Sequence, residues 1–422
     1  MNPELLRKYF DKHQVSRRDA MKLAGTAGAA GAAAWAGLSA SGTAGAAERP
    51  AERPKKDDYS DEWFDYSDPD NLSDWAPSRY GADDQRGTFN EVDSAKTAAA
   101  LGLLKRHLPV RTYNMGELMF NGFPAFKTDP PRTLEQRLSI SGYPVPPNFR
   151  DEGGIVTSEE PLAENKVSIH EERFLGKKYE IHPEPTSTTY QIATQVDNLN
   201  HLGADDYFYN GNRGRDIAKG WGTTKLGNEH MGPIVTRGVL LDILGVKIAN
   251  GDDGDLAEPA SNGKPLLKEN YRITLEDIKA AMDMGGIDEI LPGDVVLFRT
   301  GWNQLLAERD PKDIERWEAS KGLPGPYLRE ARWLGERRPA IVGSDSWALE
   351  VVGNDVNNDG SAFPVHQELL MRYGVRIGES MVSDGLADDE VYEFVYIVTP
   401  QYAEGATAGN TPPAALAQPR GL

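Results

Sequence analysis

The chain has 422 residues, with 46 Lys and Arg against 65 Asp and Glu, a formal charge of −19, and no cysteine. Without cysteine there is no thiol nucleophile, disulfide framework, iron–sulfur cluster or thiolate zinc site, so any chemistry rests on oxygen and nitrogen groups. A surface this acidic repels a phosphate backbone, and no Lys/Arg cluster with interleaved aromatics offsets it, so nucleic acid is not an expected partner.

In chain order, Ser16-Arg17-Arg18-Asp19-Ala20-Met21-Lys22 precedes a Gly/Ala-rich, mildly apolar run from Leu23 to Ala47 that contains the small-residue site Ala44-Gly45-Ala46. Paired arginines before such a run read as a twin-arginine signal peptide over residues 1–46, handled by the twin-arginine translocase. The alternative, an N-terminal membrane anchor, is weaker because Ala and Gly contribute little transfer energy. Cleavage after Ala46 removes six basic and three acidic residues and takes the charge from −19 to −22. The expected product is periplasmic or extracellular, with no stable membrane insertion. Residues 47–78 lack apolar periodicity and read as a linker or a surface arm, with Trp63, Phe64, Tyr66 and Trp75 available to dock it.

From Tyr80 onward strands and helices alternate. Ser94–Leu104 reads as a helix with Ser94 as N-cap, and a strand-like passage runs over Pro109–Asn114. Short Val/Ile/Leu-rich runs over Gly238–Ile243, Asp294–Thr300, Ala340–Asp345 and Tyr392–Val398 suit strands buried on both faces. Thr274–Met282 opens on a Thr-x-x-Asp start signal, and Val365–Tyr373 is an amphipathic helix closed by Gly374. The mixture predicts one α/β body over 79–416 with a short tail at 417–422.

Candidate chemistry concentrates in two places. Gln191, Gln195, Asp197 and His201 are spaced by four, two and four residues, offering oxygen and imidazole donors to one divalent ion; a helix-surface pair or a turn network is the alternative. Downstream, His366 lies on the amphipathic helix and Glu379 follows in a strand-like segment, suited to proton transfer and to completing a metal site, or else to a surface His and a salt-bridged Glu. Trp302, Asp345 and Trp347 stand at strand ends, where α/β sites are lined. His107, His170, His182 and His230 lack suitable partners nearby in sequence, and no Gly-x-Ser-x-Gly elbow is present.

Several segments in order resemble the metal-dependent cyclase family that includes kynurenine formamidases and isatin hydrolases. Tyr80-Gly-Ala-Asp-Asp-Gln-Arg-Gly-Thr-Phe-Asn90 is similar to its WGxDDExGxxN opening. Further matches are Pro292–Trp302, Gly343–Glu350, Phe363–Leu370, Gly374–Glu379, Val391–Phe394 and Gly405–Gly409, so the resemblance spans Tyr80–Leu416. The family's HxGTHxDxPxH signature falls on Gln191, Thr194, Gln195, Asp197 and His201, with two imidazoles replaced by amides. Asp205–Gly211 resembles a glutamine-bearing branch.

The resemblance implies a compact swivelling β/β/α domain, usually a dimer or tetramer. It also implies a site in which Gln195, Asp197, His201 and Glu379 hold the metal and His366 is the general acid/base. Amide donors are weaker than imidazole, so manganese or zinc is expected, with magnesium possible. The implied activity is hydrolysis of an amide, formamide, lactam or lactone in a small cyclic or aromatic substrate, with Trp302 and Trp347 as candidates to face it. Ring closure or dehydration at the same site, and a non-catalytic exported binding protein, are the alternatives.

Overall fold

The apolar runs form the centre of a mixed sheet, and their hydrogen-bonding order decides where the polar residues between them meet. The computed structural model describes residues 59–419 except 67, 127–131, 133, 142–144, 146, 159–168, 175–188, 320–321 and 354–362. The expected signal peptide, residues 47–58 and 67 of the arm that follows it, His182 and the side chain of His170 lie outside the described residues. All described residues belong to one unit, Lys56–Leu422.

Among the described residues the main sheet has nine strands. They are β1 (Arg111–Asn114), β2 (Gln195–Asp197), β3 (Ile234–Asp242), β4 (Val295–Arg299), β5 (Ile341–Ser344), β6 (Arg376–Glu379), β7 (Glu393–Val398), β8 (Ala408–Gly409) and β9 (Ala414–Ala417). Their spatial order is β1-β9-β7-β3-β4-β5-β6-β2-β8. The run β3-β4-β5-β6 is parallel, and the strands flanking it pair antiparallel. Gly116, just past β1, bridges Met381, just past β6, so the sheet curls until segments far apart in strand order touch. A separate three-stranded sheet, Gln136–Ser141, Ile155–Ser158 and Ile169–Phe174, stands apart from it. This is the expected α/β swivelling architecture.

Side chains along a strand alternate between faces, and both faces here are covered. Val239, Leu241, Val296, Phe298 and Val342 enter one apolar cluster with Leu244, Ile278, Leu334 and Leu369 from the helices. Leu240, Val295, Leu297 and Ile341 enter a second with Phe89, Met115, Phe394 and Tyr396. The ends of β3 and β4 are set by charge. Asp294 is buried and pairs with Lys96 and Arg237, while Asp242 accepts from Arg299 and caps the helix that follows β3 through the Gly245 amide.

The helix starts differ in detail from the sequence reading. Asp93, not Ser94, caps Ser94–Leu101, its carboxylate accepting from the Lys96 amide; a side chain must precede the first turn to reach the N2 or N3 amide. Thr274 and Asp277 form the full reciprocal capping box ahead of Leu275–Gly285. The expected helix at 365–373 is one α turn, Pro364–His366, running into a π-helix, Gln367–Tyr373. Among the described residues no helix is long and apolar enough to cross a membrane.

The aromatics of the expected arm are docked. Tyr66 and Trp75 are buried together against Ala204, Tyr207 and Met371. Trp63 Nε1 donates to Gln367 Oε1 at 2.7 Å, and Tyr66 donates to Glu368 at 3.1 Å. The chain at 59–75 therefore straps the helix that carries His366.

That helix closes at Gly374, whose φ of +66° lies in the left-handed region and whose missing Cβ would stand 2.5 Å from the Tyr209 ring. Its carbonyl accepts from both the amide and the hydroxyl of Thr88. Gly374→Ala is expected to cost about 1–3 kcal/mol through strain and overpacking, read as a lower urea midpoint at unchanged slope.

Candidate functional site

Strand register builds the site. Opposite residues on antiparallel strands share a face, as do residues two apart on one strand. Glu379 of β6 pairs with Gln195 of β2, and Ile377 pairs with Asp197. Gln195, Asp197 and Glu379 therefore project on one side. β2 ends in a turn in which the His201 amide donates to the Asn198 carbonyl. Asn198 is itself held, donating to Leu226 and accepting from Arg376. The Asp197 and His201 pair thus spans a strand end and a turn, not a helix face.

His366 arrives from the other direction. Glu350, in the loop after β5, accepts from the amides of Val365 and His366 and contacts His366 Nδ1 at 2.5 Å. One carboxylate both caps the helix start and aims the imidazole. The other ring nitrogen, Nε2, lies 3.6 Å from Asp197 Oδ2 and 3.4 Å from Glu379 Oε1. His201 Nε2 is 3.9 Å from the same Asp197 oxygen. One ligand atom each from Asp197, His201 and His366 lie within 4.8 Å of one another.

The amides occupy a supporting position. Gln195 Nε2 donates to Glu379 Oε2 at 2.6 Å and to Gln191 Oε1 at 2.8 Å, and Gln191 Nε2 lies 3.1 Å from His201 Nδ1. That last contact forms with Nδ1 accepting or, with the amide turned over, donating to its oxygen; only the second leaves His201 Nε2 free for a metal.

Three buried carboxylates, Asp197, Glu350 and Glu379, face two imidazoles. Burial would raise Asp197, but His201 and His366 override it and hold the carboxyl below its usual range. Burial and the neighbouring Asp197 push Glu379 up to about 7 against the opposing pull of His366. For His366 burial acts downward, and the contacts with Asp197, Glu350 and Glu379 outweigh it and hold the imidazole well above its ordinary value. His201 is pushed down by burial, with Asp197 opposing.

Asp197 Oδ2 and Gln195 Oε1 are buried without a hydrogen-bond partner. An orphaned carboxylate oxygen between two imidazoles, in a pocket with excess negative charge, has the donor chemistry of a divalent cation site. These residues fit a metal.

The site opens onto a narrow slot lined by Phe123, Phe126, Arg132, Trp317 and Trp347 beside Gln191, Gln195 and Glu379. Trp347, one of the two tryptophans offered at strand ends, lines this slot. Trp302 does not; it is fully buried in an apolar cluster and donates to the Leu267 carbonyl. Asp345 is not on the slot either. It accepts from the Thr300 and Gly301 amides and ties the ends of β4 and β5, with burial pushing it up to about 6. Both follow strand ends, but their side chains are buried, one in an apolar cluster and one on the backbone between the two strands.

Glu350, Phe126 and Arg132 escape the sequence reading. Only the position of Glu350 after a strand hinted at it. Four non-glycine residues beside the site, Ala193, Leu349, Phe363 and Ser380, have φ between 51° and 56°. Each costs about 1–2 kcal/mol in local strain, and such residues cluster where side chains are held for function.

A family model described as putative cyclase matches residues 121–351, more than half of the chain. The chain belongs to the cyclase family. The crystal structure of a novel cyclase is 27% identical over 80% of this chain and 96% of its own, with a TM-score of 0.62. Isatin hydrolase A from Ralstonia solanacearum is 17% identical, covering 73% of this cyclase-family chain and 92% of its own, with a TM-score of 0.47. An isatin hydrolase bound to the product analogue thioisatinate is 16% identical, covering 77% and 97%, with a TM-score of 0.47. No curated protein matches the chain.

Removing the Glu350 carboxylate leaves His366 Nδ1 buried without its partner and the amides of Val365 and His366 without theirs. Glu350→Ala is expected to lose about 3–5 kcal/mol of stability in metal-depleted protein, measured by urea unfolding.

Proposed function

We propose that this cyclase-family protein is an exported, metal-dependent hydrolase of a carbonyl–nitrogen bond (amide, formamide or lactam) or a lactone in a small cyclic or aromatic substrate. The observation that carries the reading is the unpartnered Asp197 oxygen facing two imidazoles beside an aromatic slot.

Asp197, His201 and His366 would hold the ion, with Gln195 Oε1 as a weak further donor. Two imidazoles and a carboxylate, without thiolate, suit manganese or zinc better than magnesium. When bound, such an ion supplies Lewis-acid polarisation of a carbonyl and a lowered pKa for water. The assignment moves His366 from acid/base to ligand, because its Nδ1 is engaged by Glu350 and its Nε2 points at the orphaned oxygen, the arrangement of an imidazole oriented by an outer carboxylate.

Proton handling falls to Glu379. Its Oε2 is steadied by the Gln195 amide while Oε1 faces the centre, so it can take the proton of an attacking water and pass it to the leaving nitrogen or oxygen. Glu350 keeps His366 from rotating away. The aromatic walls hold a planar substrate and limit water, which strengthens the electrostatics within.

Metal analysis of the purified protein after manganese or zinc reconstitution is expected to find one ion per chain. Asp197→Ala and His366→Ala should abolish it. Glu379→Gln should keep the ion and lower turnover of formyl-arylamines, lactams or lactones by about 10²–10⁴-fold. No bound ion with either metal would sink the proposal and leave a binding protein. Export is checked separately: the mature protein should begin at Ala47 outside the cytoplasm.

A further inference from the structure

Arg132 is a cation that the centre above does not use. Its guanidinium lies 5.8 Å from the centroid of the Phe126 ring and makes one long contact, 3.4 Å, with the Gln191 carbonyl. Among the described residues no carboxylate stands within ion-pair range of it, although the chain carries 65 acidic residues, and most other half-buried arginines near the core, such as Arg237, Arg299 and Arg332, are paired. An arginine is cheap to leave unpaired only where solvent or a ligand can serve it. Arg132 sits on the slot wall with Gln191, Gln195, Glu379 and Trp347, close enough for its charge to act on His201 and Glu379.

The walls beside it are flat and apolar. Phe126 is 37% exposed, its ring 5.0 Å from Trp347 at a 35° tilt and 5.8 Å from Phe363. Trp347 is held by donating to the Trp317 carbonyl at 3.1 Å. A ring platform, a guanidinium without a carboxylate partner among the described residues, and Gln195 and Glu379, which neighbour the candidate metal ligands, form a recognition surface on this slot. Arginine's planar fork matches a carboxylate in a way that a neutral group cannot.

We infer that the substrate carries a carboxylate on its aromatic or cyclic frame, and that Arg132 binds this anion while the ring lies against Phe126 and Trp347 and the scissile carbonyl is directed at Asp197, His201 and His366. This rests on the hydrolase reading for the carbonyl end only; the anion subsite stands on Arg132 and the rings. Arg132 thereby sets specificity, with no part in bond breaking.

The test is binding of benzoate against its neutral isostere benzamide to metal-depleted protein, followed by tryptophan fluorescence. Wild type should bind benzoate at least about tenfold more tightly than benzamide, a preference of the size expected for a charge-assisted pair. Arg132→Gln should erase the preference with benzamide affinity unchanged, and Arg132→Lys should retain part of it. Asp197→Ala, which removes the metal site, should keep it. Equal binding of the two probes to wild type, no binding of benzoate, or an undiminished preference in Arg132→Gln would each overturn the inference. Failure of the metal reading would show separately, as absence of the ion in wild type with the benzoate preference intact. In metal-loaded enzyme, Arg132→Gln should raise KM for ring substrates bearing a carboxylate about tenfold with kcat nearly unchanged, and leave KM for neutral ones alone. An equal effect on both substrate types would instead assign Arg132 to the carboxylate released by hydrolysis and overturn the substrate assignment.

Discussion

The contact between Glu350 and His366 holds the rest of the centre in place. One buried carboxylate accepts from two helix-start amides and from the imidazole, so backbone capping and side-chain orientation are a single event. Losing either partner leaves a buried polar group short of a contact, a cost of about 3–5 kcal/mol when a buried pair is broken. The pair also fixes which nitrogen of His366 faces Asp197, and with it the chemistry available at that oxygen. The strap at 59–75 reinforces the arrangement from outside by bonding to Gln367 and Glu368, the residues that follow His366.

Around that contact the protein tolerates electrostatic and conformational cost. Carboxylates outnumber imidazoles, an Asp197 oxygen and a Gln195 oxygen are left without donors, and four non-glycine residues are held in the left-handed region. Costs of this kind persist where the surrounding structure over-determines them. The two apolar clusters on either face of β3, β4 and β5 supply that rigidity, and the aromatic slot inherits it through Trp347 and Trp317. The glutamines at the site do not sit idle. Gln191 braces His201 and Gln195 braces Glu379.

Much of the architecture was legible in the chain. Strands around Val239, Val296, Val342 and Val395 announced themselves by β-branched runs too apolar for a one-sided sheet, and the helix after Thr274 by its reciprocal cap. Boundaries were less so. Asp93 outcompeted Ser94 as a cap because the first helical turn begins one residue earlier than the pattern suggests. At the site, Asp197, His201, His366 and Glu379 were readable as residue types suited to metal or proton chemistry. Trp302 and Trp347 were not distinguishable, each following a strand end, and only the packing sends one into the core and the other to the slot. Arg132 and Phe126 belong to a loop segment without periodicity, where sequence carries no directional signal.

By itself, then, the sequence determined composition and class. Lacking cysteine, it confined the chemistry to oxygen and nitrogen donors; its alternating apolar runs and caps required a mixed α/β body, and its resemblance to the cyclase family implied the type. The tertiary structure decided partnership. Residues 195, 350, 366 and 379 are brought together by the antiparallel register of β6 on β2 and by a helix start docked on the loop after β5. Local spacing cannot encode such meetings, because the side-chain face at each position depends on which strand lies opposite and in what register.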